Sequence, residues 1–191
     1  AAAYMTGILP IKKDGTQTAI SDFDEYPILN PGRFAKYTGF TEKEVKELCE
    51  ESNMDFAEMK RWYDGYSFAK INSIYNPFSV MSAIKKGEVE SYWKKTTIAE
   101  NLLTYIDMTI AGGNSELQEK ILKLIAGEHI KVDVDGFQND FETFKTDDDV
   151  LTLLIHLGYL AYDRTTHRVR IPNEEVRQEF DRILKKSKHP K

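Results

Sequence analysis

Apolar residues recur along most of this chain at helical spacing, and short alternating stretches interrupt them. The first apolar run, Tyr4-Met5-Thr6-Gly7-Ile8-Leu9-Pro10-Ile11, is short and broken by Gly and Pro, and it reads as one strand ending in a turn. From there to Pro31 the turn-rich chain, with Asp14-Gly15, keeps neither period for long and reads as an ordered connector. Thr41-Glu42-Lys43-Glu44 has the capping-box form, with Val45, Leu48 and Cys49 following at helical spacing, so a helix is predicted to begin at Thr41. A second short helix covers Phe56, Met59 and Trp62 or Tyr63 and is stopped by Gly65. Asn76-Pro77 reads as N-cap and first turn of a third helix, with Val80, Met81 and Ile84 as its inward stripe. Ile98, Leu102, Tyr105, Ile106 and Ile110 continue the helical period until Gly112-Gly113, where the boundary between two parts is placed.

The second part opens with a helix carrying Leu117, Ile121, Leu124 and Ile125, and then Ile130 to Val134 alternates like a strand. Thr146 and Asp147-Asp148-Asp149 suit a helix N-terminus, where carboxylates meet the positive end of the helix dipole. The residues that follow, Val150 to Leu157, are apolar nearly all round, which predicts a central helix. Tyr159 to Tyr162 and Arg168 to Ile171 form a hairpin with Val169 and Ile171 inward and Arg168 and Arg170 outward. Asn173 caps a last helix bearing Val176, Phe180, Ile183 and Leu184.

Composition narrows the possibilities. With 41% hydrophobic and 30% charged residues the chain has enough apolar material to fold, as two small compact parts. The formal net charge of −5 repels phosphate backbones, so nucleic-acid binding requires a local patch. A lone cysteine, Cys49, no secretory leader and no run of about 20 apolar residues point to a cytoplasmic protein that does not insert in membranes. The start at Ala1-Ala2-Ala3 without methionine suggests an excised piece.

Most chemistry is tested and set aside. A phosphate-cradling P-loop requires a Gly-Lys-Ser/Thr sequence, yet none of the 11 glycines is followed by lysine. His129, His156, His167 and His189 lack metal-ligand spacing, so no metal site is assigned. Asp133, Asp135, Gly136 and Glu142 fit part of a calcium loop, but Lys131 takes the first ligand position. Glu44-Val45-Lys46 matches a nuclease element without the strand-borne aspartate that it needs. No nucleophile elbow occurs, and no residue is assigned a catalytic role. Two clusters remain. Arg164, Arg168 and Arg170, with Lys185, Lys186 and Lys188 beyond, suit phosphate contacts or else a solvated polar face. Trp62, Tyr63, Asp64 and Tyr66 suit partner or ligand contact, or else a helix-ending turn plugged into the core by its aromatics.

Four segments carry a resemblance: Tyr4 to Ile11, Trp62 to Tyr66, Tyr75-Asn76-Pro77, and Asp148 to Leu160. Together, and ending near Ile171 to Arg177, they resemble the bacterial predicted AAA-ATPase-like family across almost the whole chain. The resemblance implies a mainly α (α+β) fold. Residues 1–30 would be the end of the ATPase core strand and a connector, 31–111 a helical lid subdomain, and 112–187 a winged-helix-like subdomain with a small β-hairpin. It further implies a nucleotide-responsive regulatory module without turnover of its own and without a cofactor in this fragment. ATP and Mg²⁺ would be held by an upstream P-loop core, and a PD-(D/E)xK nuclease-like domain would follow. Thr6 matches the position of a polar sensor near the γ-phosphate, and Asn76 and Pro77 match the lid position that reaches the nucleotide. Two alternatives stay open: a nucleic-acid-binding winged helix, and a protein-interaction scaffold built on the Trp62 to Tyr66 turn.

Overall fold

Capping chemistry fixes where the helices begin. In the computed structural model, which describes residues 6–7, 9, 24–68, 71–93, 106, 115–135, 137 and 146–187, with side chains up to 182, a 3-10 helix at Gly32–Tyr37 leads into strand β1 at Phe40–Thr41. Helix α1, Glu42–Ser52, starts from a complete capping box: the Thr41 amide donates to the Glu44 carboxylate at 2.7 Å, and the Glu44 amide donates back to the Thr41 hydroxyl at 3.5 Å. It ends at Asn53 in the left-handed region, φ 54°. Helix α2, Phe56–Tyr63, is capped by Asp55, whose Oδ1 accepts from the Glu58 amide at 2.7 Å. Strands β2, Tyr66–Phe68, and β3, Ile71–Tyr75, follow, and then helix α3, Pro77–Lys86, begins under the Asn76 cap and stops at Gly87.

The helical reading of this first part needs an addition. The three strands form an antiparallel sheet in the order β1-β3-β2, with Phe40 opposite Tyr75 and Tyr66 opposite Ile74. Val45, Cys49, Met59, Tyr63, Tyr75, Val80, Ala83 and Tyr92 pack together as the first core. On α3 the inward positions are Ser79, Val80 and Ala83, whereas Met81 is 46% exposed. Ser79, Val80 and Ala83 together span about 100° of the helix, and Met81 lies about 150° from the middle of that face, so it turns toward solvent.

The second part matches its sequence pattern closely. Helix α4 spans Ser115–Ile125, β4 Ile130–Lys131, α5 Asp147–His156, β5 Ala161–Asp163, β6 Arg168–Arg170 and α6 Glu174–Ser187. Thr146 and Asp149 form a second capping box at the start of α5. Every residue of α5 from Val150 to His156 is buried, as an all-round apolar helix requires. Around it pack Leu117, Ile121, Leu124, Tyr159, Leu160, Val169, Val176 and Phe180, each fully buried aliphatic side chain contributing about 1.5–3 kcal/mol. Strand β4 is shorter than the alternation suggested, although the Val132 amide still donates to the His167 carbonyl at 3.1 Å. The sheet order is β4-β6-β5, all antiparallel. The β5–β6 turn is organised by Asp163, which accepts from the Thr165 amide and the Thr166 hydroxyl, both at 2.8 Å.

The described architecture is therefore α+β, with two small three-stranded sheets. Most of the Tyr4 to Ile11 strand, the connector after it and the Gly112-Gly113 boundary lie outside the described residues. So do Gly136 and Glu142 of the rejected calcium loop, and the helix at 98–110 except for Ile106, which is helical and buried. Among the described residues no helix is long and apolar enough to cross a membrane.

Candidate functional site at the seam between the two cores

The turn after α2 is where the two cores meet. Tyr63 is fully buried, and its hydroxyl donates to the Glu90 carbonyl at 2.7 Å and accepts from the Glu90 amide at 3.1 Å. Asp64 fixes the turn: its carboxylate accepts from the Gly65 amide and the Ser73 hydroxyl, both at 2.6 Å. Gly65, at φ +122°, lies so close to the chain just after β6 that an added Cβ would stand 2.0 Å from the Pro172 carbonyl oxygen. The Tyr66 hydroxyl crosses to the second core and donates to the Gly158 carbonyl at 2.5 Å, and burial pushes that phenol well above its ordinary pKa.

The second core reaches back with polar groups of its own. Arg170 Nη2 donates to the Gly65 carbonyl at 2.7 Å, and Asn173 Nδ2 donates to the Asp64 carbonyl at 2.8 Å. Asn173 also caps α6 through its Oδ1, so one side chain both starts a helix and ties down the turn. Beside them Glu175 is fully buried, accepting from the Ser79 hydroxyl at 2.8 and 3.0 Å and from the Tyr92 amide at 2.7 Å.

The candidate residues thus divide. Tyr63, Asp64 and Tyr66 come together in the seam, where their polar atoms are spent on the protein's own backbone and on Ser73, and Trp62 packs half-buried against the first core. Arg170, expected to point outward, is half-buried and serves the seam, because β6 ends against Gly65 and the guanidinium finds two carbonyls there. Arg164 and Arg168 are exposed on the hairpin, with Arg168 donating to the His129 carbonyl. The side chains of Lys185, Lys186 and Lys188 lie outside those described. Asn76 accepts from the Phe78 and Ser79 amides at 3.0 and 3.4 Å, Pro77 is exposed in the first turn of α3, and Thr6 is exposed in irregular chain. Sequence reasoning missed Ser79 and Glu175. A signal for Glu175 existed, since Glu175 and Glu179 fall on the same helical stripe as Val176 and Phe180.

Cys49 lines an open groove of about 510 Å³ with Lys46, Asn53, Asp55 and Phe56, but burial, followed by the Asp55 charge, raises its thiol pKa and so disfavours the thiolate. Among the described residues no three His, Cys, Asp or Glu side chains are grouped to hold a metal ion. His156 is buried against Phe137, ring centroids 5.3 Å apart, and burial pulls its pKa down to about 4, so it stays neutral at ordinary pH.

Comparison with known proteins adds one relative and no family. No family model matches the chain, and no solved structure matches it. It is 24% identical over 194 residues to an uncharacterized protein in the vnfD 5' region of Azotobacter chroococcum mcd 1, an alignment that covers 95% of this chain and 34% of the relative, so the chain spans about a third of that protein's length.

Proposed function

We propose that the chain is a lid and winged-helix regulatory module of an AAA-ATPase-like protein, responding to a nucleotide held elsewhere in the parent and having no turnover of its own. The observation that carries this reading is the seam, where hydrogen bonds of Tyr66, Arg170, Asn173 and Glu175 tie the two cores together. Polar joints of this kind resemble interfaces that rearrange, and a module that relays nucleotide state must move one part against another. The order helix, strand, helix, hairpin, helix, with the sheet arranged β4-β6-β5, supports the winged-helix part of the proposal. The lid corresponds to residues 31–111 and the winged helix to 112–187. Within this reading Thr6, Asn76 and Pro77 contact the nucleotide only secondarily, because ATP and Mg²⁺ are held by an upstream P-loop core. The coverage of about a third of the relative suits a module within a longer chain. The test is calorimetric titration of ATP-Mg²⁺ into this chain and into a longer polypeptide carrying the upstream region. Binding by the longer one alone supports the proposal, and tight binding by this chain overturns it.

A second reading is a nucleic-acid-binding winged helix, favoured by the exposure of Arg164 and Arg168 on the hairpin. Asp133, Asp135 and Asp163 are exposed too, and they weaken the local positive field. Salt-dependent DNA binding that disappears in Arg164→Glu/Arg168→Glu would establish this reading. Arg170 is left intact in that test because it holds the seam.

A further inference from the structure

Glu175 is an ionisable group in an unusual position. It stands in the first turn of α6, fully buried, and faces the first turn of α3 through Ser79 and the chain after α3 through the amides of Tyr92 and Trp93. All of these donors are neutral. Among the described residues no lysine, arginine or histidine is bonded to it. The ionisable groups that face it are Glu179 one turn along α6, Tyr63 at the end of α2 and Tyr66 in β2. Arg170 acts on Tyr66 and is spent on carbonyls. Arg182 pairs with Glu179.

A carboxylate closed off from water with neutral partners and a second carboxylate beside it is costly to keep charged. The α6 N-terminus offsets part of that cost, since its dipole favours negative charge. Burial dominates and pushes the Glu175 carboxyl up to about 7, against the Ser79, Tyr92 and Trp93 bonds, which lower it. The bond network suits either state. With the proton on, one oxygen can still accept from the Tyr92 amide while the acid donates to the Ser79 oxygen.

We propose that Glu175 is a proton-operated latch on the seam: proton uptake holds the two cores together, and proton loss favours an opened seam in which the carboxylate is hydrated. The sign follows from linkage. A carboxyl whose pKa is higher in the closed form than when hydrated takes up a proton on closing, so closure is strongest at low pH and weakens as pH rises through neutrality. This inference concerns the seam itself and does not rest on the nucleotide reading.

Two measurements on the full chain test it. Hydrogen exchange at the Tyr92 amide, corrected for the intrinsic pH dependence of exchange, should report an opening equilibrium about tenfold larger at pH 8 than at pH 6. That dependence should vanish in Glu175→Gln and persist in Glu179→Gln. A carbon-13 titration of the Glu175 carboxyl in the unaltered chain should have its midpoint near neutrality. A midpoint in the ordinary carboxylate range overturns the proposal whether or not Glu175→Gln folds. So does Tyr92 protection that responds equally to pH in Glu175→Gln, or a response lost only in Glu179→Gln.

Discussion

At Gly65 the backbone takes φ +122°, and the chain just after β6 leaves no room for a Cβ, which would meet the Pro172 carbonyl oxygen at 2.0 Å. Gly65→Ala should therefore lower stability by about 3 kcal/mol or more, since backbone strain and overlap with main-chain atoms act together. Gly87→Ala is the control: at φ +72° it carries the conformational cost alone, with nothing within 4 Å, and about 1 kcal/mol is expected. Urea unfolding of both variants measures the difference, and equal losses would contradict the close approach at the seam. Two buried ionisable residues make opposed contributions. His156, lowered from 6.5 to about 4 by burial, adds stability as pH rises from about 4 to 6.5, because the unfolded chain holds the extra proton there. Glu175, raised from 4.5 to about 7, removes stability as pH rises from 4.5 to about 7, because there the folded chain holds the extra proton. Their sum is nearly level between about pH 4.5 and 6.5, where the two slopes cancel. Single variants should unmask each slope: His156→Leu should lose stability from pH 4.5 to 7, and Glu175→Gln should gain it from pH 4 to 6.5, each by up to about 3 kcal/mol. Guanidinium unfolding at several pH values reads both, and a level profile in either variant would be inconsistent with the burial of that residue.

Helices were legible in the sequence because their ends are written in short-range chemistry. Thr41 with Glu44 and Thr146 with Asp149 close as full capping boxes, and Asn76 and Asn173 cap α3 and α6 as their positions suggested. Thr41→Ala and Thr146→Ala should each cost about 1 kcal/mol, with Thr→Ser nearly silent at both sites, as measured by thermal or urea unfolding. The first sheet was hidden for a physical reason. Strand β1 is two residues long, β2 follows directly on the Asp64-Gly65 turn, where α2 is ended by Asp64 in extended conformation rather than by the glycine expected, and the pairing of β1 with β3 joins segments more than 30 residues apart. Local pattern carries little of such non-local pairing, although Ile71 to Tyr75, with β-branched residues and an aromatic, held a weak strand signal. The site was half legible. Trp62 to Tyr66 stands out as an aromatic cluster, and aromatics plugged into the core was one of its two readings. Arg170 read as an outward charge and Glu175 was passed over because only the meeting of two distant segments buries them.

Across the whole molecule, stability depends on whether the two cores unfold together. Each core is small, and small cores bury too little surface to be secure alone, so the seam should make them one cooperative unit. The chain has 2 tryptophans, and they divide between the cores: Trp62 packs against the first, and Trp93 against the second, 5.2 Å from Tyr159. Each reports one core when the other is replaced by phenylalanine. In the Trp62→Phe and Trp93→Phe chains, normalised fluorescence and circular dichroism should follow the same urea transition within each variant. Tyr66→Phe removes a cross-seam bond worth about 1 kcal/mol, and Arg170→Ala strands the Gly65 carbonyl at a cost of about 1–3 kcal/mol. Neither change removes apolar packing from the centre of a core. Combined in each single-tryptophan background, they should pull the two fluorescence transitions apart while leaving two folded cores at low urea. Coincident transitions with a merely lower midpoint would mean that apolar contact across the seam, rather than its hydrogen bonds, couples the halves, and a seam coupled in that way is ill suited to relay a nucleotide-driven movement.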